Sequence, residues 1–216
     1  MPNTTAFQWI FDNAENISID RSPVTAQTMS RSNVVRTVSR GGDVWRFTVT
    51  MPNGMRWSTS RSYIENITIA NRYTKGNVQM NNPGYVNYIN KYQGNATTGT
   101  AVTGPTGFVA NVTQGNANLT LTSSPTISTG YVFRTGDWIQ LGTAGNVYAV
   151  SEDLAISSGT TVKLNRSIRD TGGSYNLTVG PGCVFQVYCT ALPQWTIFGY
   201  DQISWSGSFE FYEALT

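Results

Sequence analysis

Alternating apolar and polar residues dominate both ends of the chain. The apolar row of the early stretch "DVWRFTVTM" contains Trp45, Phe47, Val49 and Met51. The apolar row of the closing stretch "QISWSGSFEFYEAL" contains Ile203, Trp205, Phe209 and Phe211. A period of two residues is typical of a strand with one buried face. We therefore expect both ends of the chain to pair within one sheet, with Trp45 and Trp205 in its core.

One helix is predicted at residues 58–72, "STSRSYIENITIANR". Its apolar positions recur at helical spacing behind a serine-rich start, and they are Tyr63, Ile64, Ile67 and Ala70. Because β-branched residues fill its interior, the helix must gain its stability by packing against the sheet. From about Asn77 the chain becomes rich in Asn, Gly and Thr with little periodicity, which is typical of a long connection.

The central part of the chain reads as short strands separated by Gly, Asn or Asp turns. These strands are expected in "GFVANVTQ", "NLTLTSS", "YVFRTGDWIQLG", "VYAVSED", "TVKLNRSI" and "CVFQVYCTAL". The chain is therefore predicted to be mainly β. Residues 1–103 and 193–216 form one discontinuous β domain that carries a single packed helix, and residues 104–192 form a small β-barrel module inserted into it.

Asp137, in "TGDWIQL", has two interpretations. It could be a catalytic carboxylate beside an aromatic residue, or a turn residue between two strands. Gly136 and Asp137 suit a turn by residue type, which favours the second interpretation. A glycan hydrolase needs two carboxylates that face each other across a cleft, and the other acids considered lie in unrelated contexts: Glu65, Asp153 and Glu210. We predict no catalytic residues and no enzyme activity.

Histidine is absent from the sequence, which removes the commonest general base and most zinc sites. Cys183 and Cys189 lie in an alternating apolar run, where an extended chain holds them roughly 20 Å apart, too far for a disulfide. They also lack the close spacing and further ligands of a zinc site. We expect buried structural thiols, no bound metal and no cofactor.

The charge of the chain is small and scattered. The 14 basic and 12 acidic residues give a net charge of +2, which does not provide the basic stripe that nucleic acid requires. A loose basic set near the N-terminus is interpreted as a solvated face, with subunit salt bridges as the alternative: Arg31, Arg36, Arg40 and Arg46. No run approaches the roughly 18 apolar residues of a membrane span, and no export signal is expected.

The combined pattern resembles virion structural proteins of tailed phages. The motifs that carry the resemblance are "SRGGDVWRFTVTMPNGM", the amphipathic helix, "GDWIQLG...VYAVSEDL...SSGTTVKLNRSIR" and "ISWSGSFEFYEAL". The nearest likeness is to structural proteins of marine contractile-tailed cyanophages, and a more distant one is to distal tail and baseplate components. The resemblance implies a protein made in the host cytoplasm and built into the virion tail. Its implied partners are other tail proteins and copies of itself in a ring, hexameric in distal tail proteins.

Aromatic residues suggest an alternative function. Sugars stack on exposed aromatic faces, so Tyr85, Tyr88, Tyr92 and the tryptophans would suit a carbohydrate-binding module or a receptor-binding fibre module of a virion. We favour core positions for Trp45 and Trp205, and an interface for the tyrosines. A ring subunit at the tail tip or baseplate, linking the tail tube to the host-recognition apparatus, is therefore the preferred prediction.

Overall fold

A computed structural model describes residues 5–21, 25–29, 35–39, 43–69, 74–84, 89–127, 129–143 and 145–215. These residues form two α-helices, α1 (Thr5–Asp12) and α2 (Trp57–Ile69). The strands of the first half are β1 (Asn16–Asp20), β2 (Thr25–Met29), β3 (Val35–Ser39), β4 (Arg46–Thr50), β5 (Met55–Arg56), β6 (Gly76–Gln79), β7 (Val109–Val112) and β8 (Asn118–Ser123). The others are β9 (Tyr131–Phe133), β10 (Trp138–Leu141), β11 (Val147–Ala149), β12 (Leu154–Ala155), β13 (Thr161–Lys163), β14 (Gly173–Val179), β15 (Val184–Ala191), β16 (Gln194–Phe198), β17 (Gln202–Ser206) and β18 (Phe209–Glu213). The prediction of a mainly β fold is confirmed.

Both ends of the chain meet in a five-stranded antiparallel sheet of order β1-β4-β18-β15-β6. Its inner face carries buried aromatic rings of β4 and β18, and α1 packs on them. Phe7 of α1 lies 5.4 Å from Phe211 between ring centroids, and Phe11 lies 5.7 Å from Phe47. Gly76 permits this approach, because a Cβ there would lie 2.1 Å from the Phe7 ring. The sequence analysis predicted one helix and missed α1.

Helix α2 confirms the predicted helix, with its start at Trp57. Ile64 and Ile67 are buried, as their spacing predicted. The predicted residues 70–72 lie outside the described residues. The Asp201 carboxylate accepts a hydrogen bond of 2.8 Å from the Ser58 backbone N–H at the start of the helix, and a carboxylate there satisfies a donor that has no partner within a helix.

A second sheet of six strands, in the order β11-β10-β14-β7-β8-β13, forms most of the inserted module. Its two edge strands meet at one end through a bridge between Val150 and Leu164, and the sheets include a curled half-barrel. This supports the barrel-like part of the prediction. The module has its own hydrophobic core, which includes Phe108, Phe133 and Tyr148.

One strand assigned to the module lies elsewhere. "CVFQVYCTAL" forms β15, which pairs with β18 and β6 in the five-stranded sheet. Its alternating apolar residues, such as Phe185 and Val187, face the core of that sheet. Alternation indicates a strand and its buried face but not its partner, which is why the boundary at residue 192 is wrong for this strand. The module instead contains β14, which the sequence analysis missed. That the module folds on its own stays a prediction.

The closing stretch, read from sequence as one continuous pattern, is two strands in two sheets. β17 pairs with β16 and β5, whereas β18 joins the five-stranded sheet. The chain changes direction at Gly207, whose φ of 106° lies in the region that favours glycine. Trp205 and Phe209, on either side of this corner, both remain in the same core.

The module packs on the inner face of the five-stranded sheet through β10 and β11. Trp138 contacts Trp45 and Phe185, at centroid distances of 5.7 and 5.2 Å. The Gln140 side chain exchanges two hydrogen bonds with the backbone of Val184, of 2.8 and 2.9 Å. All four residues of β10 are buried, because one face of the strand lies in the module core and the other in the core of the sheet.

A buried ion pair links the module to the sheet. The Arg166 guanidinium donates to both carboxylate oxygens of Glu213, at 2.7 and 2.6 Å, and to the carbonyl oxygens of Asp43 and Val147, at 2.6 and 2.8 Å. The Val147 carbonyl also accepts from the Trp45 indole, at 2.9 Å. We call the contacts of Trp45, Trp138, Gln140, Arg166 and Glu213 the module joint. Two-point pairing of this kind fixes orientation as well as distance.

Candidate assembly surface

Asp137 closes a tight turn after β9. Its backbone N–H donates to the carbonyl of Arg134, at 3.0 Å, and Gly136 inside the turn has a φ of 95°. The turn geometry that the residue types predicted is present. The side chain is buried, with 1% of its surface exposed.

The Asp137 carboxylate binds two backbone N–H groups. One oxygen accepts from Arg134 within the turn, at 2.7 Å, and the other from Gln93 in the connection before the module, at 2.8 Å. Burial raises the pKa of Asp137 to about 6, although both hydrogen bonds oppose the shift. These contacts anchor the connection to the module, a structural task that the sequence analysis did not foresee.

Of the other predicted acids, Asp153 lies near Asp137, where its charge adds to the rise in the pKa of Asp137, and Glu65 and Glu210 lie elsewhere. Glu65 is exposed on α2, Glu210 forms an ion pair with Arg46 at 3.0 Å, and Asp153 pairs with Arg134 at 3.3 Å. The Thr135 N–H and hydroxyl lower the pKa of Asp153. Within the described ranges, no group of three or more Cys, Asp or Glu side chains is placed to hold a metal ion.

The cysteines and the basic set have ordinary surroundings where they are described. Cys183 and Cys189 are both buried, and burial raises the pKa of the Cys183 thiol. Arg46 forms the pair with Glu210, which is an intramolecular contact. Arg31 and Arg40 lie outside the described residues, as does the side chain of Arg36. No helix in the described part of the chain is long and apolar enough to cross a membrane.

The predicted aromatic candidates that the structure describes are buried or half-buried. Trp45 and Trp205 are buried in the core, as predicted. Tyr92 is half-buried and donates its hydroxyl to the carbonyl of Val132, while burial raises its pKa. Tyr85 and Tyr88 lie outside the described residues. Of the remaining tryptophans, Trp138 is buried, and Trp9, Trp57 and Trp195 are half-buried.

Three exposed apolar side chains lie close together in the hairpin of β16 and β17. We call this hairpin, residues 194–206, the terminal hairpin. Ile197 and Phe198 are 48% and 45% exposed, and Tyr200 at the tip is 102% exposed. The sequence analysis did not single out these residues. The signal was an uncharged apolar run, "QWTIFGY", that ends in a glycine turn, and it does not reveal which rings face solvent.

The tip of the terminal hairpin is braced by α2 and the loop before it. The Asp201 carbonyl accepts from the Trp57 N–H, and the Ile203 carbonyl accepts from the Gly54 N–H, both at 2.8 Å. Trp195 stacks on Trp57 at a centroid distance of 4.5 Å. These contacts fix the backbone of the strand that follows Tyr200, whose ring faces solvent.

A small apolar cavity lies beside the base of the hairpin. It has a volume of about 50 Å³ and lies between α2 and the connection from β15 to β16. Its lining includes Ile67, Leu192, Trp195 and Phe209. Leu192 is also exposed on the outer surface. The apolar surface therefore continues from the tip of the terminal hairpin to its base.

Comparison of the chain with models of known families, and with curated proteins, finds no match. The functional assignment therefore depends on the sequence motifs and on this surface.

Proposed function

We propose that this chain is a structural component of a bacteriophage tail, a tail-tip or baseplate ring subunit that links the tail tube to the host-recognition apparatus. The observation that carries the proposal is the exposed apolar surface of the terminal hairpin at Ile197, Phe198 and Tyr200. Neighbouring exposed apolar residues mark interaction sites. The resemblance of the sequence motifs to tailed-phage structural proteins supplies the class of assembly.

The geometry of the hairpin suits a protein interface. Tyrosine and other aromatic residues are enriched among the residues that dominate binding energies. Because the turn at Asp201 is already held by α2, little backbone entropy is lost when a partner covers Tyr200. The partners in this proposal are other copies of the chain, in a ring that is hexameric if it follows distal tail proteins, and neighbouring tail proteins.

A carbohydrate-binding or receptor-binding fibre module is the second candidate. It is favoured by one observation, the fully exposed ring of Tyr200, because sugars stack on such faces. The two candidate functions predict different effects when the Tyr200 ring is removed. Tyr200→Ser weakens protein assembly under the first and glycan binding under the second, and Tyr131→Ser, at another exposed tyrosine, is the matched control.

Purified particles of the phage that encodes the chain provide the direct test. Mass spectrometry should find the protein in particles at a fixed copy number, and cryo-electron microscopy should place it in a ring at the end of the tail tube. Detection in infected cells but not in particles would refute the proposal. Presence in an outer fibre with bound glycan would favour the second candidate.

A further inference from the structure

Side chains or loops cover the outer edges of several strands in the two large sheets. At β6, the Gln8 side chain bonds both the N–H and the carbonyl of Gln79, at 2.7 and 2.9 Å. At β11, Trp45 and Arg166 both donate to the Val147 carbonyl. Such coverage prevents another chain from adding a strand.

The edge strand β16 lacks such coverage. In the neighbouring strand β17, the Ile203 carbonyl and the Trp205 N–H bond groups on the β5 side, the Gly54 N–H and the Asn53 side chain. Alternate residues of an antiparallel strand direct their backbone groups to opposite edges. Trp195 and Ile197, which lie opposite Trp205 and Ile203, therefore direct their N–H and C=O groups outward. No described residue occupies that edge.

The sequence of β16 also lacks the usual protection of an edge. "QWTIF" contains no charged residue and no proline, and its pairing with β17 is continuous without a bulge. By contrast, the edge strand β1 ends in the exposed Asp20 and is preceded by the exposed Glu15. Charges of this kind discourage strand addition. The open edge of β16 is thus better suited to accept another strand than the edges of β1, β6 and β11.

We propose that two copies of this chain pair through β16, antiparallel about a two-fold axis at Thr196. In this register Trp195 of each copy lies opposite Ile197 of the other. Each such pair exchanges two hydrogen bonds, so every outward backbone group of the two residues gains a partner. The two three-stranded sheets become one continuous sheet.

Other registers leave groups unpaired. An axis at Trp195 places Ile197 opposite Pro193, which has no N–H to donate. An axis at Ile197 places Trp195 opposite Gly199, whose φ of 57° belongs to the turn and not to a strand. The axis at Thr196 is the register that uses the whole strand.

The side chains are compatible with this symmetry. A two-fold axis brings each central residue beside its own copy, so a charged strand would oppose like charges, and β16 has none. The axis at Thr196 creates one Thr–Thr pair and two Trp–Ile pairs, which are favourable cross-strand combinations. It also covers Ile197, which is half-exposed in the single chain.

This inference deepens the proposed function in one respect, since it names the surface by which copies associate. It rests on self-association and not on a position in a tail. Neighbours around a cyclic ring are not related by a two-fold axis, so the β16 pair joins two rings, or two subunits before ring assembly. Contacts around the ring itself use surfaces other than the edge of β16, and Tyr200 at the tip of the terminal hairpin lies outside that strand.

A charge exchange at Thr196 tests the pairing in the full-length protein. Sedimentation velocity and light scattering should show that the wild type forms pairs. Thr196→Lys and Thr196→Glu should each raise the dissociation constant of their own pair several-fold, because like charges meet at the axis. An equimolar mixture of the two variants should associate again. The matched controls are Thr120→Lys and Thr120→Glu, at an exposed position of the inner strand β8, which should leave the dissociation constant unchanged.

Ile197→Pro tests the backbone contact. It removes an outward N–H without breaking a bond to β17, so circular dichroism should be unchanged while the dissociation constant rises about tenfold or more from the loss of two hydrogen bonds per pair.

Three results would overturn the inference: a wild type that stays monomeric, association insensitive to both charges at Thr196, or weakened variants that fail to recover when mixed. None of these results affects the test of the proposed function, which looks for the protein in phage particles. Conversely, if the protein is absent from particles but the mixed Thr196 variants associate again, only the role in the tail is refuted.

Discussion

The module joint and the terminal hairpin are two contact surfaces of the same chain with opposite properties. At the joint, Arg166 and Glu213 are buried and their charged groups bond to each other and to backbone carbonyls. At the hairpin, Ile197 and Tyr200 expose apolar surface, and no described residue takes the outward backbone groups of β16. Apart from the Arg166 Nε–H, which has no partner among the described residues, the charged groups of the joint find their partners within one chain, whereas the outward backbone groups of β16 do not.

This difference separates stability from association. Removal of a group from a satisfied buried network leaves an unpaired partner, so the free energy of unfolding falls. Removal of a group that faces solvent changes the free energy of unfolding of the single chain little. It weakens association where a partner covers that group. Substitutions at the two surfaces should therefore have different readouts, which the following predictions test.

The largest effect is expected from Arg166→Ala at the joint. Glu213 would remain buried without its counter-charge, which typically costs about 3–5 kcal/mol of the free energy of unfolding. Urea denaturation of the purified protein provides the measurement. The double variant Arg166→Met with Glu213→Leu is the control, because it removes both charges and should recover most of the loss. Equal destabilisation by the single and double variants would show that packing, not charge, is the main contribution.

A buried phenylalanine of β18 sharpens the comparison. Phe211→Ala removes a fully buried ring that contacts α1, with an expected loss of about 3–5 kcal/mol. Thermal unfolding monitored by calorimetry measures it. A loss below about 1 kcal/mol would contradict the inner-face position of this ring, since surface substitutions have effects of that size or smaller.

Asp137 gives a pH-dependent prediction of intermediate size. Its folded pKa, about 6, lies above its ordinary value of 3.8, so the folded state holds the proton more tightly than the unfolded state. This group's contribution to stability is therefore present below about pH 4 and is lost as the pH rises through 6, by up to about 3 kcal/mol.

Asp137→Asn should abolish this dependence, so the difference in unfolding free energy between wild type and variant should shrink or change sign between pH 4 and pH 7. At pH 4 the protonated Asp137 carboxyl still has an oxygen beside each of the two N–H donors, whereas the amide nitrogen of Asn would face one of them and cannot accept. At pH 4 we therefore expect the variant to be about 1–3 kcal/mol less stable. A pH-independent difference would contradict the buried, ionisable state of Asp137.

The smallest effect on stability is expected at the hairpin. Phe198→Ala should change the free energy of unfolding by no more than about 0.5 kcal/mol, because the ring is half-exposed in the single chain. Self-association, measured by light scattering, should weaken in the same variant. If Phe198→Ala lowers the free energy of unfolding strongly and leaves self-association unchanged, Phe198 stabilises the fold as the joint does. The proposed difference between the two surfaces would then be wrong.

The sequence predicted local structure better than long-range partners. The two-residue period identified β4, β17 and β18, and the helical period identified α2, because each pattern reports which face of an element is buried. The same kind of pattern in "CVFQVYCTAL" did not reveal the sheet that β15 joins, since pairing depends on residues far along the chain.

The joint and the hairpin were missed for related reasons. Arg166 and Glu213 are 47 residues apart, and no local pattern connects them. Helix α1 spans only 8 residues, too few for a strong helical period. Asp137 was correctly predicted in a turn, but its bond to Gln93 comes from a separate segment. Tyr200 is apolar enough to suggest burial, and only the folded hairpin shows that its ring faces solvent.

The stacked indoles of Trp57 and Trp195 give the chain an internal optical reporter. One ring belongs to the start of α2 and the other to β16, and they lie nearly parallel, with an angle of 26° between them. Coupled indole transitions produce a circular-dichroism signal that depends on the mutual angle of the rings. A strand or ligand that engages the terminal hairpin would shift one ring against the other, so occupancy becomes visible in the near-ultraviolet spectrum of the unlabelled protein.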